Sequence, residues 1–103
     1  MAKLHISPEA QNDLKGIKDY IATQLENPTA AADTIIKITK AIRSLTDFPD
    51  MGAPLSSKIE IQTHYRFLVS GKYLIFYRYD KSAVNIIRVL HHRRDYLNVL
   101  FYD

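Results

Sequence analysis

Cysteine is absent from this 103-residue sequence, so disulfide bonds and thiolate chemistry are excluded. Long apolar runs are also missing, since no stretch approaches the roughly 20 residues that a membrane-spanning helix needs. The N-terminal segment contains no apolar core of the length found in signal peptides. We therefore expect a soluble, cytoplasmic protein that does not associate with a membrane.

The residues that usually hold phosphates or metals are scarce as well. None of the three glycines belongs to a glycine-rich phosphate loop. No spacing of histidine and acidic residues indicates a metal site. His91 and His92 are adjacent, so on a strand they would point to opposite faces. We expect no metal and no other cofactor.

Positive charge is unevenly distributed along the chain. The net charge is only +3, yet the segment 58–94 contains eight basic and two acidic residues. The residues before it include slightly more acidic than basic side chains. A positive field concentrated in the second half of the chain could steer a nucleic acid or an acidic protein segment toward it.

The first half of the chain predicts one strand and two helices. Alternation over 3–6 indicates a short strand. Ser7-Pro8-Glu9 is typical of a helix start, because serine caps the first turn and proline is tolerated there. Asn27-Pro28-Thr29 ends this helix and begins a second one. Two apolar stripes follow helical spacing: Ala10, Leu14, Ile17, Ile21 and Leu25, then Ala31, Ile35, Ile38, Ile42 and Leu45.

Alternating patterns in the second half predict three strands, at about 61–69, 72–79 and 84–91. Ser70-Gly71 is a hairpin signal, and 80–82 is a polar turn. We expect Phe48 and Leu55 to pin the preceding Pro- and Gly-containing loop to the core. The order of elements predicts a single α+β domain over 1–103, with two layers. Its parts are an N-terminal strand, a helical hairpin and a three-stranded antiparallel meander.

Strict alternation would place three arginines together. Side chains alternate between faces along a strand, so Arg66, Arg78 and Arg88 would lie on the face away from the helices. Such a face would offer a basic, partly apolar surface to a polyanion or an acidic partner. The alternative is that these arginines are scattered solvent-facing charges. A β-bulge would reverse the alternation beyond it.

The densest group of chemically capable residues follows the last predicted strand, over 91–96, with the sequence HHRRDY. Arginine can hold phosphate with two hydrogen bonds, histidine titrates near neutrality, and tyrosine can stack on a base or transfer a proton. These are the components of a metal-free ribonuclease. They are equally the components of a surface that binds acidic residues, and Asp95 can pair with a neighbouring arginine.

The C-terminus is notably apolar. Tyr96, Leu97, Leu100, Phe101 and Tyr102 fall within its last eight residues. This segment either packs back on the sheet or forms an interface.

The order of the motifs is itself characteristic. A helix opens with Ser7-Pro8-Glu9-Ala10, a helical hairpin follows, and Phe48-Pro49 precedes Met51-Gly52. Later come Tyr65-Arg66-Phe67, then GKYLIFYR over 71–78 and RVLHHRRDY over 88–96. In this order, and over nearly the whole chain, the sequence resembles the RelE/ParE toxin superfamily. The long hairpin and the Arg-Val-Leu-His ending of the last strand are closer to ParE than to RelE.

The resemblance implies the toxin of a type II toxin–antitoxin pair, in a bacterium or on a plasmid. It implies a cognate antitoxin as partner, with an extended segment that wraps the toxin, and operator DNA bound only through that antitoxin. ParE-like members inhibit DNA gyrase and are not known as nucleases. RelE-like members are ribosome-dependent endoribonucleases that cut mRNA. The protein would therefore be an enzyme only if it is RelE-like.

The resemblance also implies roles for individual residues of this sequence. Arg66 and Arg94 match basic positions of RelE, and Tyr96 loosely matches its tyrosine, whereas Leu68 and Leu74 fall where RelE has a lysine and an arginine. These two substitutions favour inhibition of gyrase over cleavage of mRNA. For a ribonuclease, the candidate catalytic residues are Arg66, His92, Arg94 and Tyr96. The candidate binding residues are Arg66, Arg78, Arg88, Arg93 and Arg94.

Overall fold

The computed structural model describes residues 2–60 and 62–102. Strand β1 (Lys3–Ile6) leads into helix α1 (Pro8–Asp19), which continues as a π-helical turn, Tyr20–Gln24. Ser7 caps α1 as expected, because its hydroxyl oxygen accepts a hydrogen bond from the Ala10 N–H at 3.0 Å. The same hydroxyl donates to the Ile87 carbonyl at 2.8 Å, so the start of the helix is tied to the sheet.

Helix α2 (Pro28–Ser44) completes the predicted hairpin. Asn27 is its N-cap, since the side-chain oxygen accepts from the Ala30 N–H at 3.0 Å. Ile38 and Ile42 of the predicted stripe are buried within the protein, while Ile35 is half-buried. The periodicity therefore identified the face of α2 that packs on the sheet.

The sheet has five strands in the order β1-β5-β4-β3-β2. Strand β2 is only Ala53–Pro54, and a 3₁₀ turn, Leu55–Ser57, follows it. The meander consists of β3 (Arg66–Ser70), β4 (Tyr73–Asp80) and β5 (Ala83–His91). Its strands are antiparallel, whereas β1 pairs with β5 in parallel. The α+β fold expected from the sequence is confirmed, with the short strand β2 added at one edge.

A β-bulge in β5 changes which side chains share a face. Tyr77 pairs with Ile86, but Phe76 pairs with Arg88, so Ile87 has no partner in the register of β4. As a result Ile86 and Val89, three residues apart, both pack toward the helices. Strict alternation over 84–91 was therefore wrong across the bulge, since it would have placed Ile86 and Val89 on opposite faces.

Each side of the sheet has its own core. The helix-side core lies under α1 and α2 and consists of Ala10, Ile38, Ile42, Leu45, Ile75, Tyr77, Val84, Ile86 and Val89. The second core, on the opposite side, consists of Leu55, Leu74, Phe76 and Leu90. The C-terminal π-helical turn, Asn98–Tyr102, covers the second core, since Val99, Leu100 and Phe101 pack against it. The apolar C-terminus thus packs back on the sheet, one of the two alternatives that the sequence left open.

Two expectations about the middle of the chain need correction. Leu55 is fully buried as expected, but Phe48 is 65% exposed and does not pin its loop to the core. The first strand of the meander begins at Arg66, later than the predicted 61, and residue 61 lies outside the described residues. The segment 62–65 is irregular, with a Tyr65 backbone N–H bonded to the Thr63 hydroxyl oxygen at 3.1 Å.

Candidate functional site

A groove runs between the helical hairpin and the end of the sheet that carries the β3–β4 turn. It consists of two adjoining pockets of approximately 480 and 570 Å³. Tyr20, Tyr73 and His91 line both pockets, so they form the boundary between them. We call this feature the hairpin groove.

The two pockets combine apolar floors with charged rims. The first is lined by the apolar Ile21, Leu25 and Ile38 together with Lys37 and Lys72. In the second, Ile17, Val89 and Leu90 are accompanied by Asp13, Arg94 and Asn12. Apolar surface bordered by a few polar groups is the usual make-up of a binding cleft.

The boundary between the pockets is formed by aromatic rings. The Tyr73 and His91 rings meet edge to face, with centroids 5.5 Å apart. Burial, and then the neighbouring Tyr20, raise the pKa of Tyr73. Burial, followed by the charges of His92, Arg93 and Lys72, lowers the pKa of His91 below its usual 6.5. Aromatic rings thus join the linings of the two pockets.

Arg88 is part of the frame of the groove. Its Nε lies 2.7 Å from Asp13 Oδ2, and its Nη2 lies 2.8 Å from Asp13 Oδ1, a bidentate pair. The same carboxylate accepts from the Val89 N–H at 3.0 Å. Because β1 ends at Ile6, β5 runs past it, and Asp13 supplies an acceptor there in place of a strand. The pair joins α1 to β5 beside the second pocket.

Arg66 serves the loop that precedes β2. Its cross-strand partner is Tyr77, so the two side chains leave the sheet on the helix side. The Arg66 Nη2 donates to the carbonyls of Asp50 at 3.1 Å and Gly52 at 2.6 Å. Its Nε is buried and has no hydrogen-bond partner among the described residues.

Arg78 lies on the second side of the sheet. It sits over the Tyr65 ring, 5.9 Å from the centroid, and 4.0 Å from the Asp80 carboxylate. The Lys58 Nζ also lies over aromatic rings, 5.2 Å from the centroid of the Phe67 ring and 5.8 Å from that of the Tyr96 ring. This side of the sheet therefore presents cations stacked on aromatic rings.

The basic-aromatic segment 91–96 is a tight turn after β5. The Arg93 N–H donates to His91 Nδ1 at 3.1 Å, and the His91 and His92 rings stack at 4.6 Å. His92, Arg93 and Arg94 are exposed, and Arg94 reaches the hairpin groove. Tyr96 turns the other way and packs on Phe76 of the second core, with ring centroids 5.2 Å apart.

The sequence-derived candidates are thus distributed over several surfaces. Arg66 lies on the helix side and Tyr96 on the second side, so the sheet stands between them. The three arginines do not share one face as strict alternation predicted, because Arg66 pairs with Tyr77 of the helix-side core, whereas Arg88 pairs with Phe76 of the second core. Their guanidinium groups contact different partners: the Tyr65 ring for Arg78, Asp13 for Arg88 and backbone carbonyls for Arg66. Among the candidates, His92 and Arg93 contact His91, and Arg94 lines the second pocket together with His91.

Sequence reasoning missed the centre of the groove. Tyr73 falls within the strand predicted at about 72–79, and Tyr20 belongs to no motif or apolar stripe that the sequence indicates. Tyr20 follows Ile17 by three residues and is 56% exposed, a large aromatic at the edge of a buried stripe. A large aromatic residue at the edge of an apolar helix stripe is the sequence signal that marks Tyr20 as a candidate for the groove. In the part of the chain that the structure describes, no three His, Cys, Asp or Glu side chains form a metal-binding group, and no helix has the length and apolarity to span a membrane.

Comparisons with known proteins agree with this architecture. A solved structure described as the chromosomal ParDE toxin–antitoxin system from P. aeruginosa superposes with a TM-score of 0.74 at 22% identity. The match covers 88% of this chain and 96% of that one, which establishes the shared fold. No curated protein matches the sequence. The family model of the ParE toxin of the type II toxin–antitoxin system parDE matches residues 4–96, so the chain belongs to the ParE toxin family.

Proposed function

We propose that this ParE toxin acts by binding and inhibiting DNA gyrase, and that it does not cleave mRNA on the ribosome. As a member of a type II toxin–antitoxin system, it has a cognate antitoxin as partner. The gyrase target is what the closeness to ParE implies. The observation that carries the proposal is the packing of the two leucines that stand where RelE has cations.

Leu68 and Leu74 each belong to a core. Leu68 packs against the helix-side core, and Leu74 is one of the four buried residues of the second core. A ribonuclease would need positive charge at these positions to stabilise the charged phosphorane. Buried apolar contacts occupy them instead, and a lysine or arginine at Leu74 would bury an unpaired charge. This environment favours a toxin that works without phosphate chemistry.

The remaining candidates also argue against a shared catalytic centre. General acid and base catalysis requires groups within hydrogen-bond reach of one substrate. Arg66 is engaged by the Asp50 and Gly52 carbonyls on the helix side, and Tyr96 is stacked on Phe76 on the other side. One ribose and its phosphate would not contact both residues across the sheet.

The hairpin groove supports an antitoxin partner of defined chemistry. Its rims carry Lys37, Lys72 and Arg94, and its floor is apolar. A concave surface of this kind suits a flexible segment that orders on binding. We assign the groove to an antitoxin segment that is acidic and bears apolar side chains at intervals.

The decisive experiment separates the two targets. Purified toxin is added to gyrase with relaxed plasmid and, in parallel, to ribosomes translating a defined mRNA. We expect loss of supercoiling and no cleavage at codon positions. Ribosomal cleavage that Arg94→Ala abolishes, with gyrase unaffected, would reverse the assignment.

The antitoxin assignment has its own measurement, binding of the cognate antitoxin at increasing salt. We expect affinity to fall with salt, because the groove rims are basic, and to fall further in Lys37→Glu/Lys72→Glu. Lys3→Glu/Lys15→Glu, at exposed positions outside the lining of the groove, is the matched control. Equal losses in the two double variants would contradict the assignment of the groove.

A further inference from the structure

The loop between α2 and β2, residues 47–52, displays its apolar side chains to solvent. Phe48 is 65% exposed and Met51 is 47% exposed. We call this segment the Phe48 loop. Large apolar side chains that lie together on a surface mark an interaction site more often than scattered ones do.

The loop is held from below by the interior of the protein. Tyr77 is fully buried, and its hydroxyl accepts from the Gly52 N–H at 3.0 Å and donates to the Pro49 carbonyl at 2.7 Å. Arg66 adds its two bonds to the carbonyls of Asp50 and Gly52. A buried tyrosine hydroxyl and a half-buried guanidinium group are thus both used to fix one exposed loop.

Gly52 shows how closely the loop is seated. A Cβ at this position would lie 2.6 Å from both the Phe67 carbonyl oxygen and the Tyr77 hydroxyl. No side chain fits there, so the backbone of the loop rests directly on β3 and β4. At the other end, the Phe48 N–H donates to the Ser44 carbonyl at 3.0 Å and the Met51 N–H to the Phe48 carbonyl at 3.0 Å.

This arrangement keeps Phe48 and Met51 out of the cores. Burying either side chain would stabilise the fold, but the clamps at Tyr77 and Arg66 hold the loop in a conformation that exposes them. A contact surface that is already ordered loses little conformational entropy when a partner binds. Exposure of Phe48 and Met51 therefore lowers the stability of the free protein. The ordered loop in turn loses less conformational entropy when a partner binds.

We propose that the Phe48 loop is the element by which the toxin contacts its target, inserting Phe48 and Met51 into an apolar pocket with a basic rim on a folded protein. The basic rim follows from charge complementarity, because Asp47 and Asp50 flank the two apolar side chains and are exposed. The folded state of the partner follows from the order of the loop. A loop fixed by hydrogen bonds at both ends presents a constant surface and fits a preformed pocket, whereas the hairpin groove fits a flexible chain. The inference rests on the proposed function only for the identity of the target, gyrase.

The test compares two double variants of the full chain. Phe48→Ser/Met51→Ser removes the apolar side chains of the loop. Ile36→Ser/Val69→Ser is the matched control, because these residues are 51% and 60% exposed and lie on α2 and β3. Each variant is measured for thermal stability, antitoxin affinity, growth arrest on expression without antitoxin, and the concentration that half-inhibits supercoiling.

We expect half-inhibition of supercoiling to require at least about tenfold more of the loop variant, because truncation of an aromatic anchor weakens binding to this extent at other interfaces. Growth arrest should weaken in parallel, while antitoxin affinity and stability remain at the control level. A loop variant as toxic and inhibitory as the control would overturn the proposal. A loop variant that loses antitoxin affinity to the same extent would show that the loop contacts the antitoxin instead, which also overturns it.

The two proposals can fail separately. If the native toxin leaves gyrase unaffected, the gyrase assignment is wrong, and growth arrest still compares the loop variant with its control.

The charge of the loop gives a further measurement. Inhibition by the native chain should weaken with rising salt, and Asp47→Lys/Asp50→Lys should lose potency at low salt by about tenfold. Unchanged potency in that variant would contradict the basic rim.

Discussion

The two sides of the sheet are covered in very different ways. On the helix side, α1 and α2 place two continuous apolar stripes over the strands, and Ile38, Ile42 and Tyr77 are excluded from solvent. On the second side, the cover consists of the short turns Leu55–Ser57 and Asn98–Tyr102. Tyr65, Phe67 and Tyr96 remain half-buried there, under stacked cations.

The difference has a physical origin. A long amphipathic helix buries a side chain on almost every turn, so each residue ordered adds apolar contact. A short turn must order nearly as many backbone atoms for far less buried area. The helix side should therefore supply most of the stability, and the second side should be the part that opens first. The following predictions, from the largest expected effect to the smallest, test this contrast.

The largest loss of stability should come from a substitution in the helix-side core. Ile42→Ala leaves a cavity under α2 where Ile42 is 1% exposed, and we expect unfolding to become easier by about 2–5 kcal/mol. Urea denaturation at constant pH measures this. A loss below the value for the exposed control Ile36→Ala would contradict the central role of this side.

The next largest loss of stability should come from breaking the link between α1 and β5. Asp13→Ala leaves Arg88 without this carboxylate and the Val89 N–H without its acceptor, at an expected cost of about 2–3 kcal/mol. Asp19→Ala, an exposed acidic residue of the same helix, should change stability by less than about 0.5 kcal/mol. Similar losses in the two variants would show that the ion pair contributes little.

The second side should respond more weakly. Leu100 is half-buried against the second core, so Leu100→Ala is expected to cost about 1–2 kcal/mol. Amide hydrogen exchange should show the backbone of 98–102 opening before β4 does. If Leu100→Ala cost as much as Ile42→Ala, the contrast between the two sides would not hold.

The smallest effect concerns pH. Because the pKa of His91 is lowered in the folded state, the unfolded chain binds this proton more readily. Stability should therefore be unaffected by His91 above its unfolded pKa of 6.5, and should fall as pH drops below that value. His91→Gln should flatten part of this fall, measured by urea denaturation at several pH values. His92→Gln is the control, and an identical pH profile in the two variants would contradict the assignment.

Local signals predicted much of the fold. Ser7 and Asn27 cap the two helices where their side chains indicated, and the stripe through Ile38 and Ile42 identified the packed face. These features depend on neighbours within a turn or two, so the sequence contains them. The β-bulge at Ile87 has no such local signature, and it puts Ile86 on the same side of the sheet as Val89.

The candidate site was less accessible to such reasoning. Arg66 and Tyr96 were grouped by their match to RelE motif positions, but the sheet stands between them. The hairpin groove joins Tyr20 and Tyr73, which are 53 positions apart in the sequence, so no local pattern could pair them. Phe48 was expected in the core because it is large and apolar, and the hydrogen bonds from Tyr77 and Arg66 that fix its loop are long-range contacts.

The sequence by itself determined the order of the helices and of the four longer strands, the helix caps, the apolar stripes and the family, because these depend on periodicity, capping chemistry and motif order. Tertiary structure decided which side of the sheet each cation occupies, that the C-terminal turn covers the second core, and that Phe48 stays exposed above a buried tyrosine. Those outcomes depend on register and on contacts between distant segments. Single residues do not encode them, since a shift of one position in a strand reverses every face beyond it.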